Sequence, residues 1–353
     1  MINVLVTAMG GGGHGEQILK AIKLAEQGRY WIVGADANPN CPQFNLVDQS
    51  AVLPFANAPK YMEQLFGLID KYQIKALFHG CEPELKLFAK HREAIEARGV
   101  FLPINPTAVI DLCMDKEKTN RRLTELGFDP PKFTVIETLA DLAAIDWFPV
   151  VVKPSVGGGG SANVYVAQNP RELKGLADYL ELRENQIKFF IQEYVGTADD
   201  EYTVGVLHDM DGAYINSIAL KRALTGQLNI RMSVPNQTAK VKLGSKLVIS
   251  SGVSQGEIGR FPKVTEQCKA IAKAIDAKGP INIQCRLVDG VVKVFEINPR
   301  FSGTTSIRAM VGYNEPDVLM RKHIGSEAVV TDFRYEEAII LRSLIETKFI
   351  SDT

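Results

Sequence analysis

Residues 148–166 read FPVVVKPSVGGGGSANVYV. The apolar, β-branched run predicts a buried strand that ends on Lys153 and opens into four consecutive glycines flanked by Ser155 and Ser161. An ammonium group at the end of a buried strand is costly unless it is paired. Glycines free backbone N–H groups to form a concave anion site, so a nucleotide phosphate would satisfy both features at once. The competing interpretation is a surface hairpin whose lysine reaches water, because the stretch is not the GxxxxGK[ST] of a P-loop.

A second stretch, residues 294–300 (VFEINPR), points to the same chemistry. Glu296 and Asn298 lie two apart on a predicted strand, so they share a face. Oxygen ligands of this kind suit Mg²⁺ bound jointly with phosphates, and Arg300 just beyond can reach the same anionic site as a guanidinium fork. The alternative is an exposed polar edge, against which stand the apolar neighbours Val294, Phe295 and Ile297.

Around these stretches the first hundred residues alternate short strands (2–7, 31–35, 75–79) with helices (16–27, 60–72, 84–98), the pattern of a parallel sheet with helical crossovers. Gly10, Gly12 and Gly15 satisfy GxGxxG after the first strand, and Asp36 ends the second, as in a dinucleotide fingerprint. A tight strand-to-helix turn needs glycine whether or not a phosphate sits there. Pro103 and Pro106 mark a boundary near residue 107. Two short helices broken near Asp115 follow, and Gly127 with Pro130 and Pro131 stops the second. Strands then dominate, with one helix over 264–278 before a hairpin turning at Asp289-Gly290.

At 353 residues the chain is too long for one small module, and 46% hydrophobic with 23% charged residues excludes a disordered chain. Forty basic against 41 acidic residues leave a charge of −1, which argues against nucleic acid and anionic membrane as partners. No apolar run spans a membrane, and the N-terminus lacks a basic flank ahead of its apolar stretch, so a mature, cytoplasmic protein is expected. Five scattered cysteines without a CxxC pair read as reduced core residues, and the five dispersed histidines offer no metal-ligand spacing.

Taken in order, VLVTAMGGGGHG, CEPEL, MDKEKTNRRLTELGFDPP, FPVVVKPSVGGGGSANVYV, FIQEYVGTADDEYTVGV, KRALTG and INIQCRLVDGVVKVFEINPR resemble the ATP-grasp ligases. The likeness is to the carbamoyl phosphate synthase large subunit and stand-alone carboxylate-amine ligases. It implies an α/β protein: a Rossmann-like pre-ATP-grasp domain over 1–107, a small lid subdomain over 108–190, and a C-terminal ATP-grasp subdomain with the metal site over 191–353. It also implies roles. Lys116 and Lys153 would hold the ATP phosphates, Ser155 with Gly157, Gly158, Gly159 and Gly160 would form the lid loop, and backbone groups of Glu193 and Val195 would clamp adenine. Glu201 would hold the ribose hydroxyls. Gln284, Glu296 and Asn298 would bind one or two Mg²⁺, with Mn²⁺ as a substitute. Arg300 would stabilise the transferred phosphoryl group, and Arg222 with Thr225 and Gly226 would lie toward the acceptor. Glu82 and Glu84 would line or support that cleft, or else sit in the first turn of a helix.

The hairpin sets a condition on this ligand set. A strict two-residue turn pairs Ile283 with Glu296 and leaves Gln284 on the opposite face, so Gln284 needs a bulge or an odd-length loop. The reaction implied is ligation of a small-molecule carboxylate to an amine through an acyl phosphate, with release of ADP and phosphate. A homodimer is left open. The rival readings are an NAD-dependent oxidoreductase using the first glycine cluster and an ATP-binding regulatory protein without turnover.

Overall fold

The computed structural model describes residues 1–155, 163–184 and 189–348. The N-terminal part is a parallel sheet of order β3-β2-β1-β4, formed by β1 (Ile2–Val6), β2 (Tyr30–Asp36), β3 (Gln49–Val52) and β4 (Ala76–Phe78). Helix α1 (His14–Lys23) covers one face, while α2 (Tyr61–Tyr72), α3 (Glu82–Lys90) and α4 (Arg92–Glu96) bury Leu65, Ile69, Leu85, Phe88 and Ile95 against the other. The stretch expected as one helix over 84–98 is thus two.

In the turn between β1 and α1, Gly11 and Gly12 take positive φ, whereas Gly15 there and Gly80 just after β4 are fixed by packing. A Cβ on Gly15 would lie 2.5 Å from the Ala8 carbonyl oxygen, and one on Gly80 only 2.1 Å from that of Thr7. Neither position admits a side chain without moving backbone. Asp36 is committed to the same turn, accepting from the N–H of Gly10 (2.7 Å) and of Asn38 (2.9 Å).

Beyond residue 106 come α5 (Thr107–Cys113) and α6 (Lys116–Glu125), the latter capped by the Asp115 carboxylate, which accepts from the N–H groups of Glu117 and Lys118. A small antiparallel sheet of order β5-β8-β6-β7 follows, made of β5 (Phe133–Ile136), β6 (Val150–Pro154), β7 (Tyr165–Ala167) and β8 (Phe189–Glu193). Helix α7 (Pro170–Glu184), which the strand-rich sequence reading passed over, packs on it through Leu173, Ala177 and Leu180.

The large sheet has order β15-β14-β9-β10-β13-β16. Its strands are β9 (Glu201–His208), β10 (Tyr214–Arg222), β13 (Gly256–Gly259), β14 (Pro280–Val288), β15 (Val291–Asn298) and β16 (Ala338–Ile340), with the ribbon β11 (Ile230–Pro235) and β12 (Lys246–Ser250) beside it. Helix α8 (Pro262–Ala274) covers one face together with Val109, Cys113 and Leu123 of α5 and α6. The segment 108–190 is therefore divided, its first two helices sharing a core with the large sheet and only residues from Phe133 onward building the small one. On the other face, Leu207, Ile218 and Phe301 pack with Val4, Ile18 and Phe78 into one core with helices α9 (Thr305–Met310) and α10 (Glu315–His323). The N-terminal sheet is thereby fixed against the large sheet, with a cleft between them.

Candidate active site

The hairpin β14–β15 carries the feature on which the site turns. Asp289 and Gly290 both have positive φ and make a two-residue turn, with Val288 opposite Val291 and Cys285 opposite Val294. Past Cys285 the register slips by one, so that Gln284 faces Glu296, Ile283 faces Ile297 and Asn282 faces Asn298. Phe295 is the extra residue of a β-bulge. The condition that the sequence set for Gln284 is met by this slip. Asn282, Gln284, Glu296 and Asn298 share one face of the sheet.

The bulge also supplies a partner for Lys153. This lysine ends β6 almost fully buried, and its Nζ donates to the Phe295 carbonyl (3.0 Å) and to Gln192 Oε1 (2.8 Å). Gln192 passes the constraint on, donating from Nε2 to Asn120 Oδ1 (3.1 Å), while Asn120 Nδ2 donates to the Lys116 carbonyl (2.8 Å). A buried chain of two side-chain amides thus sets the spacing of Lys153 and Lys116, and the Lys116 N–H donates to the Ser155 carbonyl (3.2 Å). Burial and the neighbouring Lys116 lower the Lys153 pKa to about 7, against the pull of Glu296 in the other direction. At the wall of a pocket, burial and Lys116 disfavour the charged form of Lys153, an effect that a bound anion would oppose.

That pocket gathers Lys116, Lys153, Glu193, Val195, Glu201, Gln284 and Glu296, together with the apolar Val151, Val164, Val248 and Ile249, between the small and large sheets. Arg286, two residues from Gln284 on the same face of β14, lies in its wall and was missed by the sequence reading, although the period-two spacing was there to be read. It donates to Glu201 Oε2 from Nε (3.1 Å) and from a terminal nitrogen (2.9 Å), and to the carbonyls of Val195 (3.1 Å) and Val248 (2.9 Å). Burial raises the Glu201 pKa, but Arg286 and Arg222 outweigh it and hold the carboxylate ionised. A carboxylate has about four acceptor sites, so a hydroxyl can still be accepted beside the guanidinium. The Glu193 N–H is taken by the Lys132 carbonyl (2.8 Å).

Asn298 and Arg300 sit on the far side of Glu296, in a cleft of about 590 Å³ between the N-terminal domain and the large sheet. Gln284 and Glu296 line both spaces and divide them. Arg300 donates to Asn298 Oδ1 (3.1 Å) and to Glu82 Oε1 (3.2 Å) from α3. The two acidic residues of CEPEL therefore part company. Glu82 faces the cleft, whereas Glu84 is buried and accepts from Thr7 Oγ1 (2.7 Å), Tyr61 Oη (2.5 Å) and the Gly80 N–H (2.9 Å), bracing the ends of β1 and β4.

Arg222 differs from its expectation as an acceptor-facing group. It is 4% exposed, pairs with Glu201 (3.3 Å), and donates to Ser250 Oγ (3.0 Å) and to the carbonyls of Ser251 (2.8 Å) and Val253 (3.2 Å). It stands behind the cleft wall, not in it. Ser155 is buried at the end of β6, and Gly157, Gly158, Gly159 and Gly160 lie outside the described residues. Among the described residues no group of three His, Cys, Asp or Glu could hold a metal ion, so a divalent cation would depend on one carboxylate, Glu296, and the amide oxygens of Gln284 and Asn298. Such a donor set fits Mg²⁺ that keeps phosphate and water oxygens in its remaining positions. No helix among the described residues is long and apolar enough to cross a membrane.

Residues 4–103 match the family described as PylC-like, N-terminal domain, and residues 188–342 match ATP-grasp in the biosynthetic pathway with Ter operon. Residues 188–342 are thus similar to an ATP-grasp domain. The carbamoyl phosphate synthase large chain of Thermoanaerobacter sp. (strain X514) is 29% identical over 220 residues, which are 61% of this chain and 19% of that one. The chain thus spans about a fifth of the length of that curated relative. Among solved structures, the L-amino acid ligase from Bacillus licheniformis superposes with a TM-score of 0.63 at 17% identity, covering 91% of this chain and 74% of that one. The biotin carboxylase domain of the Hydrogenobacter thermophilus 2-oxoglutarate carboxylase, in complex with MgADP, gives 0.64 at 14% identity, covering 94% and 71%. At these identities the structural neighbours establish the ATP-grasp fold and its Rossmann-like N-terminal companion.

Proposed function

We propose that the protein is an ATP-dependent ligase that converts a carboxylate into an acyl phosphate and joins it to an amine, releasing ADP and phosphate. The observation that carries this reading is the bulge at Phe295. It sets Gln284 against Glu296 and turns a carbonyl to Lys153, in a pocket that Lys116 also lines, which supports reading the amide and carboxylate oxygens as metal ligands and the lysines as phosphate-binding groups. Charge stabilisation is then concentrated on the β and γ phosphates, where charge develops during γ-phosphoryl transfer.

In this reading Lys116 and Lys153 bind phosphate oxygens, and the Glu193–Val195 linker, held by Arg286, receives the adenine edge between Val151, Val164 and Ile249. Glu201, oriented by Arg286, accepts from the ribose hydroxyls. Ser155 faces the phosphates, and glycines 157–160, expected beside it, lie outside the described residues. Gln284, Glu296 and Asn298 would hold Mg²⁺, which when bound neutralises phosphate oxygens during transfer. Arg300 meets the carboxylate and then the acyl phosphate. Glu82, its partner across the cleft, is placed to receive the ammonium of the amine once Arg300 is drawn to the phosphate. No side-chain nucleophile is required.

The test is ADP release over a matrix of carboxylates and amines, with hydroxylamine as a surrogate nucleophile. An ATP-dependent hydroxamate with stoichiometric ADP is the expected result. AMP as the stoichiometric product would overturn the chemistry, and MgATP binding without ADP release for any pair would favour the regulatory protein.

A further inference from the structure

One part of the wall of the 590 Å³ cleft is the turn 251–254, whose backbone carbonyls are held by two arginines outside the cleft lining. Arg222 takes the carbonyls of Ser251 and Val253. Arg342, two residues beyond β16, donates from Nε to the Ser254 carbonyl (2.9 Å), from one terminal nitrogen to Gln17 Oε1 of α1 (2.9 Å), and from the other to the Gly303 carbonyl. Its own N–H donates to Gln255 Oε1 (3.0 Å). One guanidinium thus ties together three segments that build the cleft: α1, the turn 251–254 and the loop at Gly303.

The consequence follows from peptide geometry. In a trans peptide the N–H points opposite to the preceding C=O. With the carbonyls of Ser251 and Val253 drawn back to Arg222, the N–H groups of Gly252 and Ser254 are turned forward, and both residues line the cleft. Among the described residues neither N–H has another acceptor. Two adjacent unfilled donors make a small concave site for oxygen. Neither arginine lines the cleft itself, so both act through the backbone they hold.

We propose that Gly252 and Ser254 bind a carboxylate or carbonyl oxygen of the amine substrate through their N–H groups, and that Arg342 is the positioning residue that keeps this donor pair aimed into the cleft. The amine would then be of the amino-acid type, bearing an oxygen function beside its nitrogen. This assignment rests on the ligase reading of the cleft. Lysine cannot replace Arg342, because a single ammonium nitrogen does not span three acceptors held by a planar fork.

Two measurements on the full chain separate this inference from the reading beneath it. In the first, amino acids are compared as nucleophiles with matching amines lacking the carboxylate, alanine against ethylamine, by ADP release. The wild type should favour the amino acid by about 10- to 100-fold, the range for a charge-assisted hydrogen-bonded contact. Arg342→Gln and Arg342→Lys should lose that preference through KM for the amino acid, with KM for MgATP within about twofold of wild type. Gly252→Pro, which deletes one donor, should lose it too, and Gly252→Ala, which keeps the N–H, should retain it. Equal use of alanine and ethylamine by the wild type, or unchanged discrimination in the Arg342 and Gly252→Pro variants, overturns the proposal. In the second, hydrogen exchange at 251–255 is followed with MgADP and alanine or ethylamine, with no turnover needed. Protection by alanine alone, absent in Arg342→Gln, supports the site even if no ligation is found. No protection by alanine in the wild type overturns it even if ligation is confirmed.

Discussion

Two strand ends in this molecule are followed by glycines and accompanied by a charged side chain, and they have become different things. After β1, the acid that could have held a ribose is consumed by the turn itself, since Asp36 accepts from Gly10 and Asn38. Of the glycines there, Gly15 is demanded by the Ala8 carbonyl, 2.5 Å from any added Cβ, while Gly11 and Gly12 are demanded by their positive φ. At the end of β6, the charge is left in deficit. Lys153 is buried beside a second lysine, with two neutral oxygens for partners and a pKa lowered to about 7 by burial and by Lys116. The comparison separates a glycine cluster whose neighbouring charge is tied to its backbone from one whose neighbouring charge a bound anion would favour.

The largest effect should come from the residue that completes the second turn. Glu296→Gln removes the single carboxylate of the ligand set while keeping its size. Turnover should fall by at least about 100-fold, beyond the range for partners that only orient a ligand, with the melting temperature unchanged or raised. Measured ADP release at wild-type level would remove Glu296 from the metal site and with it the contrast between the two turns.

Next is Lys153→Met. The variant should bind MgATP about 10- to 100-fold more weakly, the worth of one charge-assisted bond, yet unfold at a temperature no lower than wild type, because a buried ammonium is costly. The pH dependence sharpens this. An unfolded lysine titrates near 10.4, whereas Lys153 in the free protein titrates at about 7. Between these values the unfolded chain binds the extra proton, so the stability of the free protein should rise as pH increases from 7 toward 10. MgATP affinity should move oppositely, weakening as the ammonium is lost. Both trends should flatten in Lys153→Met, and parallel trends in variant and wild type would assign the titration elsewhere.

How much of this was legible depends on the distance over which each constraint acts. The parity of the Asp289-Gly290 hairpin is local, so once the resemblance made Gln284 a ligand, counting required a bulge or an odd-length loop, and the structure has a bulge at Phe295. That the bulged carbonyl would meet Lys153, 142 residues away, could not. Gln192 and Asn120, 72 residues apart, look like ordinary polar residues until the chain links them to both lysines. Arg222 and Arg342 carry the same limitation. A sequence shows an arginine and its strand, but only folding shows whether its donors reach a substrate or the backbone of a wall.

Gly80, after β4 and packed against the end of β1, makes the opposite kind of prediction, in which stability moves and chemistry does not. Gly80→Ala drives a Cβ into the Thr7 and Ala8 carbonyls, for a loss of about 1–3 kcal/mol or more in unfolding free energy. Whatever fraction folds should keep the wild-type KM for MgATP. A variant of full stability with weakened nucleotide binding would mean that the glycines serve a ligand after all.

The smallest effect is expected at Asp36. Its two carboxylate oxygens each accept one backbone N–H at a partly exposed site, and an asparagine has only one oxygen to offer, leaving the other N–H to water. Asp36→Asn should therefore cost no more than about 1 kcal/mol, with ADP release and KM for MgATP unchanged. The same variant is the sharpest probe of the dinucleotide alternative. Asp36 is held to the turn by two N–H donors, and NADH fluorescence is expected not to respond to the wild-type protein. A saturable NADH signal in the wild type that disappears in Asp36→Asn would show that the first turn opens for a cofactor, and the two turns would then be alike in function as they are in sequence.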